Sequence, residues 1–433
     1  MTLAVELRPA PDPLDACAHC TDLPDLVFLD SSARGPLGRY SFLTADPVAR
    51  VGPDGDPLNA ARALLEPHHR PALAGLPPFQ GGIMGYLGYD WTAGLGLYDW
   101  VVAWDHLEAR AWLLAWTERR LKWAQKRLQA PLRPSSGVFR RPPPSSVTSN
   151  FTRAEYESAV ARIRDYIAAG DVYQVNLAQR FQTPCAGPPL DLYRRLRARS
   201  AAPFGAYLAL GPLTIASISP ERFVRLDAAT RVAEARPIKG TRPRGATPAE
   251  DAALAGALTA SEKDRAENVM IVDLLRNDLG KVCRPGSVRV PELYALESHP
   301  TVHHLVSTVT GVLGDGADAF DLLRAAFPGG SVTGAPKIRA MEIIAELERG
   351  RRGVYCGAIG YVSATGGMDL NIPIRTVVLQ DGGASFHAGA GIVWDSDPAA
   401  EYEETLAKAR PMMDALTQPS TRDRAVTSSS SRR

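Results

Sequence analysis

Three stretches near the C-terminus decide the fold: GVYCGAIGYVS (353–363), MDLNIPIRTVVL (368–379) and ASFHAGAGIV (384–393). Each is short and apolar, and glycine-bearing turns separate them, so the sequence predicts three short strands here. Upstream, VYQVNLAQRF (172–181) alternates like a strand. The segments VVAWDHLEARAWLLAW (101–116) and LTIASISPERFVRL (213–226) predict further paired strands. Few of these strands alternate with helices, which favours an α+β fold over a parallel, doubly wound sheet.

Helices are predicted between these strands by their capping residues. Thr152 and Glu155 form a capping-box pattern, apolar residues follow at helical spacing, and Gly170 is placed to end that helix. Residues 248–281 suit one long helix, and a last helix is predicted to start at Asp397, with proline at its first position.

The 433 residues divide by composition into four parts. Residues 1–130 form an apolar N-terminal segment, and 131–149 form a Pro/Ser-rich linker or surface loop. Residues 150–418 hold most of the predicted elements, and we expect the basic tail, 419–433, to be disordered.

Composition and charge exclude several classes of protein. The chain is 45% hydrophobic and 22% charged, which is ordinary for a globular protein. No apolar run is long enough to span a membrane, and the N-terminus does not read as a secretory signal, so we expect a cytoplasmic protein without membrane association. The formal charge is only +2 and the arginine-rich tail supplies the excess, so nucleic-acid binding is not expected.

The five cysteines do not form a disulfide framework. Cys17 and Cys20 make one CxxC pair, but no second pair follows at zinc spacing. Two ordinary thiols are therefore the better interpretation.

Acidic residues share faces on two predicted helices. Asp264 and Glu267 are three apart, while Glu401, Glu404 and Lys408 lie on one face of the last helix. Two such faces could meet around a hard cation such as Mg²⁺, which prefers oxygen ligands. A solvated helix face with salt bridges remains the simpler alternative.

Two basic segments are also notable. GGSVTGAPK (329–337) does not have the spacing of a Walker loop, but its end suits a helix N-terminus, which can bind a carboxylate. Lys239 lies in ARPIKGTRPRG (235–245), among three arginines. A lysine near other cations and partly desolvated has a lowered pKa and can act as a nucleophile, although a surface lysine is the alternative.

Together these motifs resemble the chorismate-utilising enzymes, the family that includes the anthranilate, isochorismate, salicylate and aminodeoxychorismate synthases. The matching stretches are collinear over about 150–410: DVYQVNLAQRF, SPERF, PIKGTRPRG, SEKDRAENVMIVDLLRNDLG, HHLVSTVTG, GGSVTGAPKIRAMEII, GVYCGAIGY, NIPIRT and AGAGIVWDSDPAAEYEETLAKA. The resemblance implies one large α+β domain like that of anthranilate synthase component I. Two packed antiparallel β-sheets would be flanked by helices, and 150–418 would be the chorismate-binding catalytic region.

The resemblance also implies a cofactor and a ligand set. Mg²⁺ would be bound by Glu267 and Glu404, with Glu401 and Asp264 holding metal-bound water.

Further roles follow from the same resemblance. Glu221 of SPERF would be the general acid that protonates the departing C4 hydroxyl, and His304 would be the family's active-site histidine. An acid that works near neutral pH needs a raised pKa, so we expect Glu221 to be buried or near other carboxylates. Substrate binding is implied for Gln174, Thr241, Ser331, Gly334, Tyr355, Arg375, Gly389, Gly391 and Lys408. Of these, Tyr355, Arg375, Lys408 and backbone N–H groups near Gly334 and Gly391 would hold the two carboxylates.

Two positions distinguish the reactions within this family. Gln174 stands where isochorismate-type members carry a lysine that activates water, and a neutral amide cannot act as that base. Lys239 stands where anthranilate synthases usually carry alanine, and PIKGT is similar to the aminodeoxychorismate-forming branch. In that branch the lysine attacks C2 as a covalent catalyst and ammonia then attacks C4. Anthranilate formation and a non-catalytic, chorismate-holding scaffold are the alternatives.

The resemblance implies partners as well. The chain has no glutaminase motif, so ammonia would come from a separate glutamine amidotransferase subunit. VFLDSS and RYSFL in the N-terminal segment resemble the part of the family that holds tryptophan, so tryptophan is a possible ligand there.

Overall fold

Two large antiparallel sheets and the helices that cover them make up the protein. The computed structural model describes residues 2–52, 54–131, 139–299 and 302–418. Within these residues the helices are α1 (Pro13–Ala18), α2 (Pro57–Leu65), α3 (Glu118–Gln129), α4 (Arg153–Ala168), α5 (Pro189–Arg199), α6 (Pro248–Ala260), α7 (Glu262–Gly280), α8 (Ala319–Ala326), α9 (Lys337–Leu347) and α10 (Pro398–Thr417).

The strands of the described residues are β1 (Leu3–Glu6), β2 (Leu26–Asp30), β3 (Tyr40–Thr44), β4 (Ala49–Arg50), β5 (Gly82–Leu87), β6 (Ala93–Tyr98), β7 (Trp100–Asp105), β8 (Arg110–Ala115), β9 (Thr148–Ser149), β10 (Gln174–Pro184), β11 (Phe204–Leu210), β12 (Leu213–Ser219), β13 (Arg222–Leu226), β14 (Val232–Ala235), β15 (Ile238–Pro243), β16 (Arg289–Ser298), β17 (Val302–Val312), β18 (Gly334–Ala335), β19 (Ala358–Ser363), β20 (Met368–Asn371), β21 (Thr376–Gln380) and β22 (Gly383–Ile392).

The first sheet runs β1-β8-β7-β3-β2-β11-β12-β21-β22-β10-β18, with β9 beside β10. The second runs β15-β17-β14-β13-β20-β19-β5-β6-β4, with β16 beside β17. The inner faces pack together, since Phe42 and Ile215 of the first sheet share one apolar cluster with Met84 and Tyr361 of the second. The expected α+β fold of two packed antiparallel sheets is confirmed.

Helices cover the outer faces of both sheets. Leu196 of α5 and Met412 of α10 pack against the first sheet, and Ile271 of α7 and Leu323 of α8 pack against the second. Burying each such side chain contributes about 1.5–3 kcal/mol. The outer helices and the inner cluster together fix the two sheets relative to each other.

The chain crosses between the sheets at two places where the sequence predicted continuous or paired strands. In LTIASISPERFVRL, β12 belongs to the first sheet and β13 to the second, so the expected pairing of these strands is wrong. MDLNIPIRTVVL also divides into β20 and β21, one in each sheet, so the region has four strands rather than three. Proline interrupts both segments, at Pro220 and Pro373, because it lacks the N–H that a continuing strand needs.

The helix predictions hold with one exception. The capping box at Thr152 and Glu155 begins α4, and Asp397 caps α10. Residues 248–281, by contrast, form two helices, because Ser261 ends α6 and its side chain caps α7. A serine oxygen that accepts the backbone N–H of Asp264 lets a new helix begin at this point.

The N-terminal segment contributes strands to both sheets, including β2 and β7 in the first and β5 in the second. Cys17 and Cys20 lie fully buried in the core beneath these strands, and burial raises the pKa of both thiols. Among the described helices, none combines the length and hydrophobicity needed to cross a membrane. The predicted tail, 419–433, and residues 132–138 of the predicted linker lie outside the described residues.

Candidate active site

The cleft between the sheets holds the side chain of Lys239, which β15 carries. Its Nζ atom lies 3.6 Å from the point where a side chain at Gly391 would begin, so the amine stands above β22 of the other sheet. Burial lowers the pKa of Lys239, and the positive charge of Lys408 lowers it too, whereas the carboxylate of Glu267 raises it. A larger neutral fraction makes this amine a better nucleophile than an exposed lysine.

Glu221 lies at the first crossover, between β12 and β13. Its side chain is only 6% exposed, and the hydroxyl of Ser331 donates a hydrogen bond of 2.8 Å to Oε1. Burial raises the pKa of Glu221, while the hydrogen bond from Ser331 and the charge of Lys239 act in the opposite direction. A carboxylic acid that stays protonated to higher pH is suited to donate a proton.

The floor of the cleft consists of glycines on β22 and polar side chains on β10. Gln174 is 2% exposed, and its Nε2 donates to Glu267 Oε2 at 3.5 Å. A Cβ atom at Gly391 would collide with that same Nε2, so only glycine leaves room for Gln174 beneath Lys239. Gly334 in β18 pairs with Val175, and a side chain there would meet the carbonyl of Gln174.

Four acidic residues lie near one another at the cleft: Asp264, Glu267, Glu401 and Glu404. Burial raises the pKa of Glu267, and the charges of Asp264 and Glu404 raise it further. Burial also raises the pKa of Glu401, with Glu404 adding to the effect, although Ser396 holds Glu401 Oε1 through a 2.6 Å hydrogen bond. These carboxylates are therefore close enough to repel one another.

Mutual repulsion of this kind is what a divalent cation relieves, and the oxygen donors suit Mg²⁺. Glu267, Glu401 and Glu404 thus fit the ion by their chemistry. In the described part of the chain, no group of three or more His, Cys, Asp or Glu side chains is already gathered as a ligand set. Asp264 pairs with Arg242 at 2.8 Å, so a role in holding metal-bound water would require sharing that partner.

His304 faces the cleft from β17 and is neutral. Its Nδ1 lies 2.9 Å from the hydroxyl of Thr241, on the neighbouring strand β15. Burial lowers the pKa of His304 to about 4, and the charges of His299 and Arg375 lower it as well. A neutral imidazole held by Thr241 can accept or donate a hydrogen bond without adding charge to the cleft.

Arg375 lies at the second crossover, between β20 and β21, with a φ of +51°. Among the described residues its guanidinium has no hydrogen-bond or ion-pair partner, although its backbone carbonyl accepts from the N–H of Ile218 at 3.2 Å. Burial lowers the pKa of Arg375, and the carboxylate of Glu221 raises it. An unpaired guanidinium in a left-handed backbone conformation is a costly arrangement, which a bound carboxylate would compensate.

The remaining predicted residues lie around this arrangement. Tyr355 is buried and stacks on His387, with 5.0 Å between ring centroids. Lys408 on α10 donates to the carbonyl of Gly389 at 3.0 Å and pairs with Glu404 at 2.7 Å. The positive charge of Lys408 is thus already paired with the carboxylate of Glu404, whereas that of Arg375 has no such carboxylate among the described residues.

A second cavity of about 250 Å³ lies between the sheets and is lined by residues of the N-terminal segment and of later parts of both sheets. Leu29, Tyr40, Phe42 and Arg225 are among its lining residues. It includes parts of the VFLDSS and RYSFL segments and none of the cleft residues described above.

Sequence reasoning missed three supporting residues: Arg242, Ser396 and Asn176. Arg242 holds Asp264 and Ser396 holds Glu401, while Asn176 extends the polar floor beyond Gln174. Strand alternation was a signal for Asn176, because residues two apart on β10 share a face. Arg242 contacts Asp264, 22 residues away on another element, which left no local signal, whereas Ser396 reaches Glu401 over only five residues from the loop before α10.

Known proteins resemble this chain over most of its length. The chorismate binding enzyme family matches residues 31–414. The chain is 42% identical to aminodeoxychorismate synthase component 1 of Salmonella typhimurium, over 93% of this chain and 96% of that protein. It is 44% identical to anthranilate synthase component 1 of Streptomyces coelicolor, over 88% and 81%. The structure of anthranilate synthase component I from Streptococcus pneumoniae matches with a TM-score of 0.77 and 33% identity, over 88% and 93%. The chain therefore belongs to the chorismate binding enzyme family.

Proposed function

We propose that the chain is an aminodeoxychorismate synthase component I, which converts chorismate and ammonia to 4-amino-4-deoxychorismate and water. The observation that carries the proposal is the Lys239 amine, desolvated above Gly391 and within electrostatic reach of Glu221. This pairing supplies a nucleophile and an acid in one cleft.

The first step uses both groups. The neutral amine of Lys239 attacks C2 of the ring and forms a C–N bond, the double bonds shift, and the C4–O bond breaks. Glu221 donates its proton to the departing hydroxyl, which leaves as water, and the Glu221 carboxylate then takes up the proton released from the Lys239 nitrogen. Dividing one difficult displacement into two is the usual benefit of covalent catalysis.

In the second step ammonia attacks C4, the double bonds shift back, and the bond between C2 and Lys239 breaks. One proton passes from the attacking nitrogen to the departing lysine nitrogen, so the enzyme is regenerated. The enolpyruvyl group is retained. Gln174 at the floor of the cleft cannot take a proton from water, which disfavours hydroxylation.

Substrate orientation falls to the cations and the metal site. Arg375 pairs with a substrate carboxylate, and backbone N–H groups near Gly334 and Gly391, with Tyr355 and Lys408, complete this binding. Glu267 and Glu404 would hold Mg²⁺, with Glu401 and Asp264 in support, and a bound ion would supply positive charge for the ring carboxylate.

The partners follow from the reaction. Ammonia comes from a separate glutamine amidotransferase subunit, in keeping with the name component 1 carried by the relatives. The product serves p-aminobenzoate and folate biosynthesis. Tryptophan occupies the second cavity, whose apolar and aromatic lining and Arg225 guanidinium, which also lies 3.5 Å from Asp227, suit an aromatic amino acid.

The test is product analysis after incubation with chorismate, Mg²⁺ and ammonium. Aminodeoxychorismate supports the proposal. Anthranilate would instead favour the second candidate, anthranilate synthase component I, which the 44% identical relative supports. Absence of any turnover would favour a scaffold that only holds chorismate.

A further inference from the structure

One polar side chain on the floor of the cleft has no partner. The Oδ1 atom of Asn176 is buried, and within the described ranges it accepts no hydrogen bond. Buried polar groups are nearly always paired, because leaving an acceptor unpaired costs free energy. The amide oxygen therefore needs a donor that the protein itself does not provide.

Asn176 lies on the face of β10 that lines the reaction site. Asn176 lies two residues after Gln174 on β10, and residues two apart on a strand project from the same face. The flanking Val175 and Leu177 pack on the opposite face, in the cluster beneath α4 and α9. Asn176 pairs in register with Gly391, above which the Lys239 amine stands.

The distance between Asn176 Oδ1 and Lys239 Nζ suits one substrate ring. Oδ1 of Asn176 lies 2.9 Å from the point where a side chain at Gly389 would begin, and Lys239 Nζ occupies the corresponding place at Gly391. Residues two apart on a strand are roughly 6.5–7 Å apart. An acceptor and a nucleophile at that spacing can act on different carbons of a ring bound between them.

We propose that Asn176 binds the attacking ammonia, with its Oδ1 accepting an N–H while the nitrogen lone pair faces C4. The inference rests on the proposed function and names the binding residue for its second substrate.

The chemistry of ammonia favours an amide at this position. Ammonia has three N–H donors and one lone pair that must stay free for the attack. A carboxylate in this place would favour protonated ammonium, which has no lone pair. The neutral amide oxygen accepts a hydrogen bond without stabilising a proton on the nitrogen. In the step itself the C4–N bond forms, the bond from C2 to Lys239 breaks, and one proton moves from the attacking nitrogen to Lys239.

The test is the Michaelis constant for ammonium at saturating chorismate, compared between the intact chain and Asn176→Leu, which removes the acceptor at similar volume. We expect the constant for ammonium to rise about tenfold, the effect of one lost hydrogen bond, and that for chorismate to stay within about twofold. Gln182→Leu is the matched control, since Gln182 is an exposed amide on the same strand, and both constants should stay unchanged.

A second readout separates the two substrates. Formation of the chorismate adduct on Lys239 needs no ammonia, so Asn176→Leu should still form it at the normal rate when ammonium is omitted. If Asn176→Leu does not fold, Asn176→Asp replaces it, and we expect the same rise for ammonium because the carboxylate favours the protonated form.

An unchanged constant for ammonium, or equal rises for ammonium and chorismate, would overturn the role of Asn176. Lack of aminodeoxychorismate from the intact chain would instead overturn the proposed function, and the two failures are therefore distinguishable.

Discussion

The cleft and the second cavity lie between the same two sheets, yet they differ in whether their charged side chains are paired. In the second cavity the charged groups are paired: Arg222 forms two hydrogen bonds to Asp369, and Asp30 accepts from Tyr193 and Arg197. In the cleft, the Arg375 guanidinium has no such partner among the described residues. Burial raises the pKa of Glu221 and lowers that of Lys239, which favours the neutral form of each group.

The difference indicates what each site is for. Paired charges keep a cavity rigid and neutral, which suits a ligand that is held and not changed. Unpaired or repelling charges cost stability and are kept where a reaction uses them.

Lys239→Ala should reduce aminodeoxychorismate formation on the order of 10³-fold, because the covalent route is lost. Amination at C2 is the expected residual reaction, measured by chromatography of the products. Lys122→Ala, on an exposed lysine of α3, is the control. An unchanged rate and product in Lys239→Ala would show that the amine is not part of the reaction.

Glu221→Gln should slow the reaction about 100-fold or more, because the proton for the leaving hydroxyl is lost. The pH profile makes the test specific. Glu221 acts protonated, so the rate of the intact enzyme falls as pH rises, and its raised pKa moves that fall to higher pH. Lys239 acts neutral, so the rate falls at acidic pH, and its lowered pKa extends activity downwards. In Glu221→Gln the alkaline fall should disappear; if it persists, another group is the acid.

Glu404→Gln should raise the Mg²⁺ concentration needed for activation about 10- to 100-fold. The substitution removes the negative charge of Glu404, which repels Glu267 and would attract the ion. Titration of activity with Mg²⁺ measures this. Glu403→Gln is the neighbouring control, since Glu403 points to Arg153 and away from the cleft carboxylates. Equal metal titrations for the two variants would remove Glu404 from the ligand set.

Arg225→Ala should weaken tryptophan binding about tenfold and leave the amination rate unchanged, because the guanidinium lines the second cavity and is not among the cleft residues described above. Calorimetric titration with tryptophan measures the affinity, and Arg276→Ala on the surface of α7 is the control. Failure of tryptophan to bind the intact protein would refute the ligand proposed for this cavity.

Local sequence patterns predicted much of the fold. Capping residues located the starts of α4 and α10, and alternation located β7, β8 and β10, because these signals depend on neighbours in the chain. Sheet membership could not be predicted in the same way. Alternation shows that a segment is extended but does not show which sheet it joins, so the crossovers at Pro220 and Pro373 were missed.

Those two crossovers position the chemistry. Glu221 follows the first and Arg375 follows the second, and a hydrogen bond of 3.1 Å from the N–H of Ile372 to the carbonyl of Glu221 joins them. The roles of both residues were implied by resemblance, while their placement depends on long-range pairing. Whether Asn176 Oδ1 has a hydrogen-bond donor likewise depends on which residues the fold brings near that atom. No spacing in the sequence reveals that, among the described residues, it has none.

Mass spectrometry of the trapped enzyme shows whether the Lys239 amine bonds to the substrate ring. The protein is mixed with chorismate and Mg²⁺ without ammonium, quenched in acid, digested and analysed. We expect a peptide containing Lys239 that carries the mass of chorismate less one water and reverts when ammonium is added before the quench. An enzyme that makes aminodeoxychorismate at full rate when ammonium is supplied, while its Lys239 peptide stays unmodified when ammonium is omitted, would contradict a covalent role for this amine.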